Sequence, residues 1–398
     1  MRKNALWVGC AFIAGWLGWS TSASWAQLDS SPDIRPVSSS WVGVQFFSYE
    51  NAVEESATPM QEPSRFHDSA GRSYWEWRRG LADKHAPAFL MADHVHEPGE
   101  IMLEYKYMIM SMDENQRGTT RLSNDQAFAQ GQALGTNNGA LPTHMSMEMH
   151  MVHIMYGWSE NVTLYTMLMF PVLTMDHIRG PANPAGAGTV FTTHNSGFGD
   201  LAFGGLFRLL NEEDWDLIFN LGFRVPTGDI SRQTTIPTGG LVSQELPYPM
   251  RLGTGTFQFL PGITYKRYLS GGSYGLQFQT NFSIGENWDH YSVPDVYRLN
   301  FWYAHLLTDH LAMSFRVENL WRDNFTGADP DLNPAVVSTS RPDMQTGYWL
   351  NFGYGVMWLV GDSGHLVNLE IIDTIYQDLD GIQLRSDWTF VVSWSKAY

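Results

Sequence analysis

Several stretches of this chain alternate strictly between apolar and polar residues, and their two faces are chemically unlike. Trp215, Leu217, Phe219, Leu221, Phe223 and Val225 share one face of 215–225, with Asp216, Asn220 and Arg224 on the other. Tyr274, Leu276, Phe278, Phe282 and Ile284 oppose Gln277, Gln279, Asn281 and Ser283. Tyr348, Leu350, Phe352, Tyr354, Val356 and Trp358 alternate with Asn351, Gly353 and Gly355. A period of two is the period of a strand. Runs of about ten residues are long enough to cross a bilayer when tilted.

A soluble barrel or sandwich also alternates, but it turns the apolar face inward and covers the outer face with Lys and Glu. Here the polar face is mostly Asn, Gln, Gly and Ser. Charged residues make up only 16% of the 398 and aromatic residues 14%, whereas about 25% charge is usual in soluble domains. Trp158, Trp215, Trp288, Tyr303, Tyr348 and Trp358 sit near strand ends, where interfacial aromatic girdles lie.

About twelve such segments begin near residues 100, 144, 162, 197, 215, 255, 273, 295, 310, 347, 365 and 383. The connections 158–161, 211–214, 270–273, 307–310 and 361–364 are tight. Those between them, 113–143, 176–196, 227–254 and 322–345, are long, and 286–294 and 377–382 are shorter without reversing the order. Short periplasmic turns alternating with long extracellular loops are a property of membrane barrels. The sequence therefore predicts an all-β fold, a transmembrane antiparallel up-and-down β-barrel of about twelve strands over 100–398.

Ahead of the barrel, Arg2 and Lys3 precede an apolar run from Ala5 to Trp19 and then Ser24-Trp25-Ala26, the pattern of a secretory signal cleaved near Ala26. The run is shorter than the roughly 20 residues a membrane helix needs. Cys10, the only cysteine, lies inside it, so the mature chain has no disulfide framework. Residues 27–99 read as a periplasmic N-terminal extension or plug, partly disordered, in which Tyr74-Trp75-Glu76-Trp77-Arg78-Arg79 is a candidate short helix, plug element or partner contact. The formal charge of −17 excludes the basic footprint of a nucleic-acid binder. The end, with Trp388, Phe390, Val392, Trp394 and Tyr398, is similar to the C-terminal signal of outer-membrane proteins, although Lys396 breaks the alternation. The partners expected are outer-membrane lipid, the barrel-assembly machinery through this last strand, and a small-molecule solute.

The strings Ser196-Gly197-Phe198-Gly199-Asp200-Leu201, Leu221-Gly222-Phe223-Arg224-Val225-Pro226-Thr227-Gly228 and Leu252-Gly253-Thr254-Gly255-Thr256, the last leading to Leu260-Pro261-Gly262, together resemble the meta-pathway of phenol degradation family. The resemblance spans about 94–398, and the Met-rich stretch Met145 to Met151 resembles a methionine-rich branch. It implies a Gram-negative outer-membrane, transporter-like barrel without fixing a solute. Glycine in strands permits bulges and close approach of an inner segment, while Pro226 and Pro261 mark places where a ladder ends or distorts.

With the apolar face toward lipid, the lumen receives Glu104, Lys106, Asp200, Arg208, Asp216, Arg224, Lys266, Arg298, Arg316, Glu318, Glu370, Arg385 and Asp387. Charges at mid-membrane cost about 2–4 kcal/mol each for Arg or Lys, so the interior is water-accessible or salt-bridged. A lumenal field of this kind selects polar or amphipathic solutes. Thirteen of the 19 methionines fall between Met91 and Met175, with His94, His96, His144, His150 and His153 among them. Met108, Met110, Met112, Met167 and Met169 with His150 form a candidate soft-metal set for copper or silver, against which stands methionine as flexible apolar wall packing. On the second strand the Met row faces either lumen or lipid. His94-Val95-His96-Glu97 lacks further close ligands in sequence.

An enzyme would need Asp176-His177 or His194 near Ser196 as a nucleophile system, but the strand–turn–helix context of a nucleophile elbow is missing, and no cofactor motif is present. The expectation is a channel for passive uptake or binding of small hydrophobic or aromatic solutes, without catalysis or cofactor. A metal-linked barrel and a structural barrel without flux are the alternatives.

Overall fold

The computed structural model describes residues 71–398 apart from 184–185 and 238–240. The expected signal peptide and residues 27–70 lie outside the described residues. Eleven of the thirteen strands in the main sheet close a ring. They are β1 (Ile101–Gly118), β2 (Ala140–Ser159), β3 (Val162–Arg179), β4 (Leu201–Asn211), β5 (Trp215–Val225), β6 (Phe257–Leu269), β7 (Gly272–Ile284), β8 (Val296–Thr308), β9 (Leu311–Arg322), β10 (Gly347–Leu359) and β11 (His365–Ala397). Each pairs antiparallel with its neighbour in the chain, and β11 pairs back onto β1 to close the barrel. The remaining two strands, Thr120–Leu122 and Val190–Ser196, extend β1 and β3.

A ring closed only by antiparallel pairings needs an even number of passes, and β11 supplies two. Its residues 366–379 pair with β10 and its residues 379–397 with β1, in opposite directions. The bend lies at Gly381, whose φ of 97° suits glycine. The two arms touch where Gln377 Nε2 donates to the Ser386 carbonyl (2.9 Å) and Ser386 N–H donates to Gln377 Oε1 (3.0 Å).

Burial is inverted relative to a soluble protein. Leu276, Phe278, Phe301, Phe315, Leu369 and Ile371 are exposed, whereas Lys266, Gln277, Asn300, Arg316 and Glu370 on the opposite face are buried. Trp158, Trp288 and Trp358 are exposed at strand ends, as a girdle requires. Trp302 and Trp349 are buried instead, and Trp302 is fully so, on the inner face. Trp302 occupies the space over Gly275, where a Cβ would lie 2.2 Å from its ring.

Two expectations need correction. β1, β2 and β3 run 18, 20 and 18 residues, about twice a membrane crossing, because their loop-side halves continue the ladder past the apolar band. The first long loop also contains a helix, Asn124–Ala133, capped by Ser123 and Gln126 in a reciprocal capping box. At Pro261 the ladder distorts, one of the two outcomes expected there, and the strand does not end. Pro261 continues to pair with Leu221 on β5, while the ladder to β7 is interrupted between Phe259 and Gly262.

Candidate functional site: the lumen and the segment inside it

Residues 73–99 run from the short-turn end along the inner wall to β1. Helix α1 (Tyr74–Arg78) begins with a capping box between Ser73 and Glu76. Arg78 then anchors the chain: it bridges both oxygens of Asp83 (2.8 Å each) and donates to the carbonyls of Leu269 (2.6 Å) and Gly272 (2.5 Å) at the β6–β7 turn. Arg79 reaches Asp216 and the carbonyl of Glu212, and Ala82 N–H donates to the Asp309 carbonyl. Three short turns therefore hold the entry of the segment.

Beyond Ala82 the segment has no regular secondary structure, so its buried backbone depends on partners from the wall. Lys266 Nζ donates to the Lys84 carbonyl (2.5 Å), Lys106 Nζ to that of Leu90 (3.1 Å), Gln277 Nε2 to that of Met91 (2.7 Å) and Thr264 Oγ1 to that of Ala92 (3.1 Å). Phe89 N–H donates to Glu370 Oε2 (2.7 Å), and Arg208 donates to the Val95 carbonyl (3.2 Å). The polar inner face thus serves as the missing ladder for an irregular strand of chain.

The charges expected along a solute path are mostly inside, but they are engaged. Arg316 pairs with Glu370 at 2.7 Å and lies 3.7 Å from Glu318, which also meets Arg298 at 3.5 Å. Glu104 lies 3.6 Å from Lys106 and 3.4 Å from His153. Lys266 meets Asp93 at 3.4 Å, Arg208 meets Asp216 at 3.6 Å, and Arg385 meets Asp387 at 3.4 Å. Arg224 donates to Gln258 Oε1 at 2.7 Å. Asp200 is buried as well, but its partners are loop donors, not a cation. It lies ahead of β4, and its carboxylate accepts from Gly228 N–H (2.9 Å), Thr254 N–H (2.8 Å) and Thr254 Oγ1 (2.7 Å). The three glycine-rich strings therefore converge on this one carboxylate. Gly228 and Gly253 are in backbone contact beside it, with no room for a Cβ on either.

The methionines pack in layers. Met108, Met151 and Met167 cluster with Ala88, Ala202, Ile372 and Val391, and Phe89, Met91, Met149 and Met169 pack against them. Closer to the loops, Met145, Met175, Leu173, Leu246, Met250 and Leu252 form a second layer that includes Met112. The open orientation of β2 resolves here, because Met145, Met151 and Met155 are buried with the lumen while Ile154 and Tyr156 are exposed. Met110 shares the inner face and pairs in register with Met147. His150 is on the other face, where the Tyr105 hydroxyl meets its Nδ1 at 2.7 Å. The proposed soft-metal set is thus split between two layers and two faces of the wall, because residues of opposite parity on one strand point apart.

Sequence reading missed the histidines as a group. The His85 and His94 rings lie 4.1 Å apart, and those of His94 and His96 4.6 Å apart. His94 Nδ1 contacts Asp93 Oδ1 at 3.0 Å and His96 Nδ1 contacts Glu100 Oε2 at 2.9 Å. Burial, with His94 beside it, holds His85 well below the usual imidazole range. Burial pushes the Asp93 carboxyl up, but His94 and Lys266 outweigh it and hold it well below the usual carboxylate range. The separation of His85 from His94 in sequence concealed this grouping. The imagined nucleophile system does not assemble: His194 Nδ1 is bonded with Thr174 Oγ1, Asp176 accepts from Thr192, and His177 stacks on Phe191.

At the loop end, Arg251 gathers Glu245 (3.2 Å), Asp289 (3.5 Å) and Asp329, and donates to the Tyr291 hydroxyl oxygen (2.9 Å). This clasp ties three long connections together.

The family model described as putative MetA-pathway of phenol degradation matches residues 123–370. The chain belongs to this family. The matched span contains the Asp200 clasp and most of the methionine wall. No curated protein sequence matches the chain. Among solved structures, the COG4313 outer membrane channel from Pseudomonas putida F1 is similar, with a TM-score of 0.53 and 12% identity over 77% of this chain and 98% of that one. The toluene transporter TodX of P. putida gives a TM-score of 0.38 at 8% identity, over 76% of this chain and 93% of its own. The NanC porin gives 0.38 at 7%, over 74% and 98%. The first of these supports the barrel fold.

Proposed function

We infer that this chain is a Gram-negative outer-membrane channel for passive uptake or binding of small hydrophobic or aromatic solutes, with residues 73–99 as its plug. The observation carrying this reading is the methionine wall, which runs from Met250 and Leu246 at the loops to Met91 and Ala88 on the segment. Thioether side chains adapt to irregular apolar guests, and a mostly apolar lining with few polar groups is the usual character of a small-molecule site. The charged groups neutralise one another around the segment, so they close the short-turn half to ions instead of lining an aqueous pore. The name of the similar Pseudomonas channel agrees with transport. In this account the leader is removed near Ala26, and the last arm of β11 carries the assembly signal.

The test is uptake into proteoliposomes holding the refolded mature chain. Saturable uptake of naphthalene or toluene, without swelling in small sugars, is the expected result. Swelling in sugars with no saturable aromatic uptake would show an aqueous porin instead.

A further inference from the structure

The plug segment brings His85, Asp93 and His94 together, and one ligand atom from each lies within 4.8 Å of the others. We propose that these three side chains bind a single divalent transition-metal ion of the zinc class, which staples the two ends of the 85–94 loop inside the barrel. The site is distinct from the methionine wall and requires none of its thioethers.

Four features of the geometry support this assignment. First, His94 Nδ1 and Asp93 Oδ1 lie 3.0 Å apart, about the separation of two donors that share one tetrahedral ion. Second, the three residues border a cavity of about 20 Å³, room for one or two waters or an ion with one water. Third, the same cavity is also lined by Glu104 and His153, so it is polar enough to hold an ion with its water. Fourth, Asp93 is held in place by the Ala86 N–H (2.6 Å) and by Lys266 (3.4 Å).

Two imidazoles and one carboxylate, with positions left for water, suit Zn²⁺ and, with it, Cu²⁺ or Ni²⁺. Calcium and magnesium prefer oxygen donors throughout. The other grouping of potential ligands among the described residues, Glu245, Asp289 and Asp329, is already filled by the Arg251 guanidinium.

The experiment is calorimetric titration of ZnCl₂ into the untagged, metal-stripped mature chain in detergent, with metal content read by mass spectrometry and a Co²⁺ absorption spectrum as an independent readout. One ion per chain and a Co²⁺ spectrum of nitrogen and oxygen ligands are expected. H94Q and H85Q should each weaken binding on the order of 100-fold, whereas M167L with M169L should not change it. Far-ultraviolet dichroism and heat-dependent mobility on gels establish that each variant is folded. Unchanged binding in folded H85Q and H94Q, or loss of binding in the methionine variant, would overturn the proposal, as would the absence of stoichiometric binding in the parent chain. If H94Q fails to fold, the decision passes to H85Q and to the Co²⁺ spectrum of the parent.

Discussion

Replacing Arg316 by Met removes the cation at the centre of the plug's attachment. The Arg316 and Glu370 side chains are 1% and 0% exposed and meet at 2.7 Å. Arg316 also donates to Asn300 Oδ1 (2.9 Å) and lies over the Phe89 ring at 4.7 Å, while Glu370 accepts the Phe89 N–H. Removing one partner of a buried pair leaves the other charge uncompensated, at a cost of about 3–5 kcal/mol. The closed barrel bears that cost; with the segment displaced, water reaches Glu370 and most of it is relieved. At about 1.4 kcal/mol per factor of ten, the ratio of displaced to seated segment rises at least about 100-fold.

Single-channel recording should therefore show frequent openings in R316M. An Ala88→Cys probe, buried in the parent and the only cysteine of the mature chain, should react with a membrane-impermeant maleimide in the R316M background. The double variant R316M/E370Q removes both charges and retains an acceptor for Phe89, so it should return toward parental silence, as neutral replacement of buried pairs often does. A folded R316M that is as silent and as protected as the parent, or a double variant as leaky as the single, would refute the reasoning.

Three further outcomes are expected. Asp200→Ala strands the buried N–H of Gly228 and the half-buried N–H of Thr254, and should lower barrel stability by roughly 1–4 kcal/mol, read as an earlier transition in heat-dependent gel mobility. Gly275→Ala drives a methyl into the Trp302 ring and should cost about 1–3 kcal/mol, with Trp302 fluorescence shifted; an unchanged melt would mean that the ring has room to move. At the loop clasp, burial and then Asp329 raise the Glu245 and Asp289 carboxyls. Raised carboxylates favour the folded clasp when protonated, so their contribution is full below the ordinary values of 4.5 and 3.8 and is lost as pH rises through the folded values. Hydrogen exchange in 286–294, corrected for intrinsic rates, should be slower near pH 4 than near pH 7.

The barrel was legible because each strand's two faces meet lipid and lumen, so a local period of two carries the global topology. Strands starting at Trp215, Val162, Gly347 and His365 lie where the alternation begins. The orientation of β2 was not legible, because Met and His occupy opposite faces and neither is excluded from lipid or lumen. The partners of Asp200 were not legible either, because they are donors of Gly228 and Thr254, far along the chain in other connections. The order of the plug had no local signal at all. Its chain is irregular, and its partners come from residues as distant in sequence as Glu370 from Phe89. The helix at Asn124–Ala133 did carry a signal, the Ser123 and Gln126 capping pair, inside a stretch read only as a loop.

The central claim is that residues 73–99 close the lumen to ions while the methionine wall stays available to apolar guests. Planar-bilayer conductance of the mature chain, compared with a folded variant lacking residues 73–96, tests it most directly. The account predicts silence for the former and steady conductance steps for the latter. Equal conductance in both would contradict it.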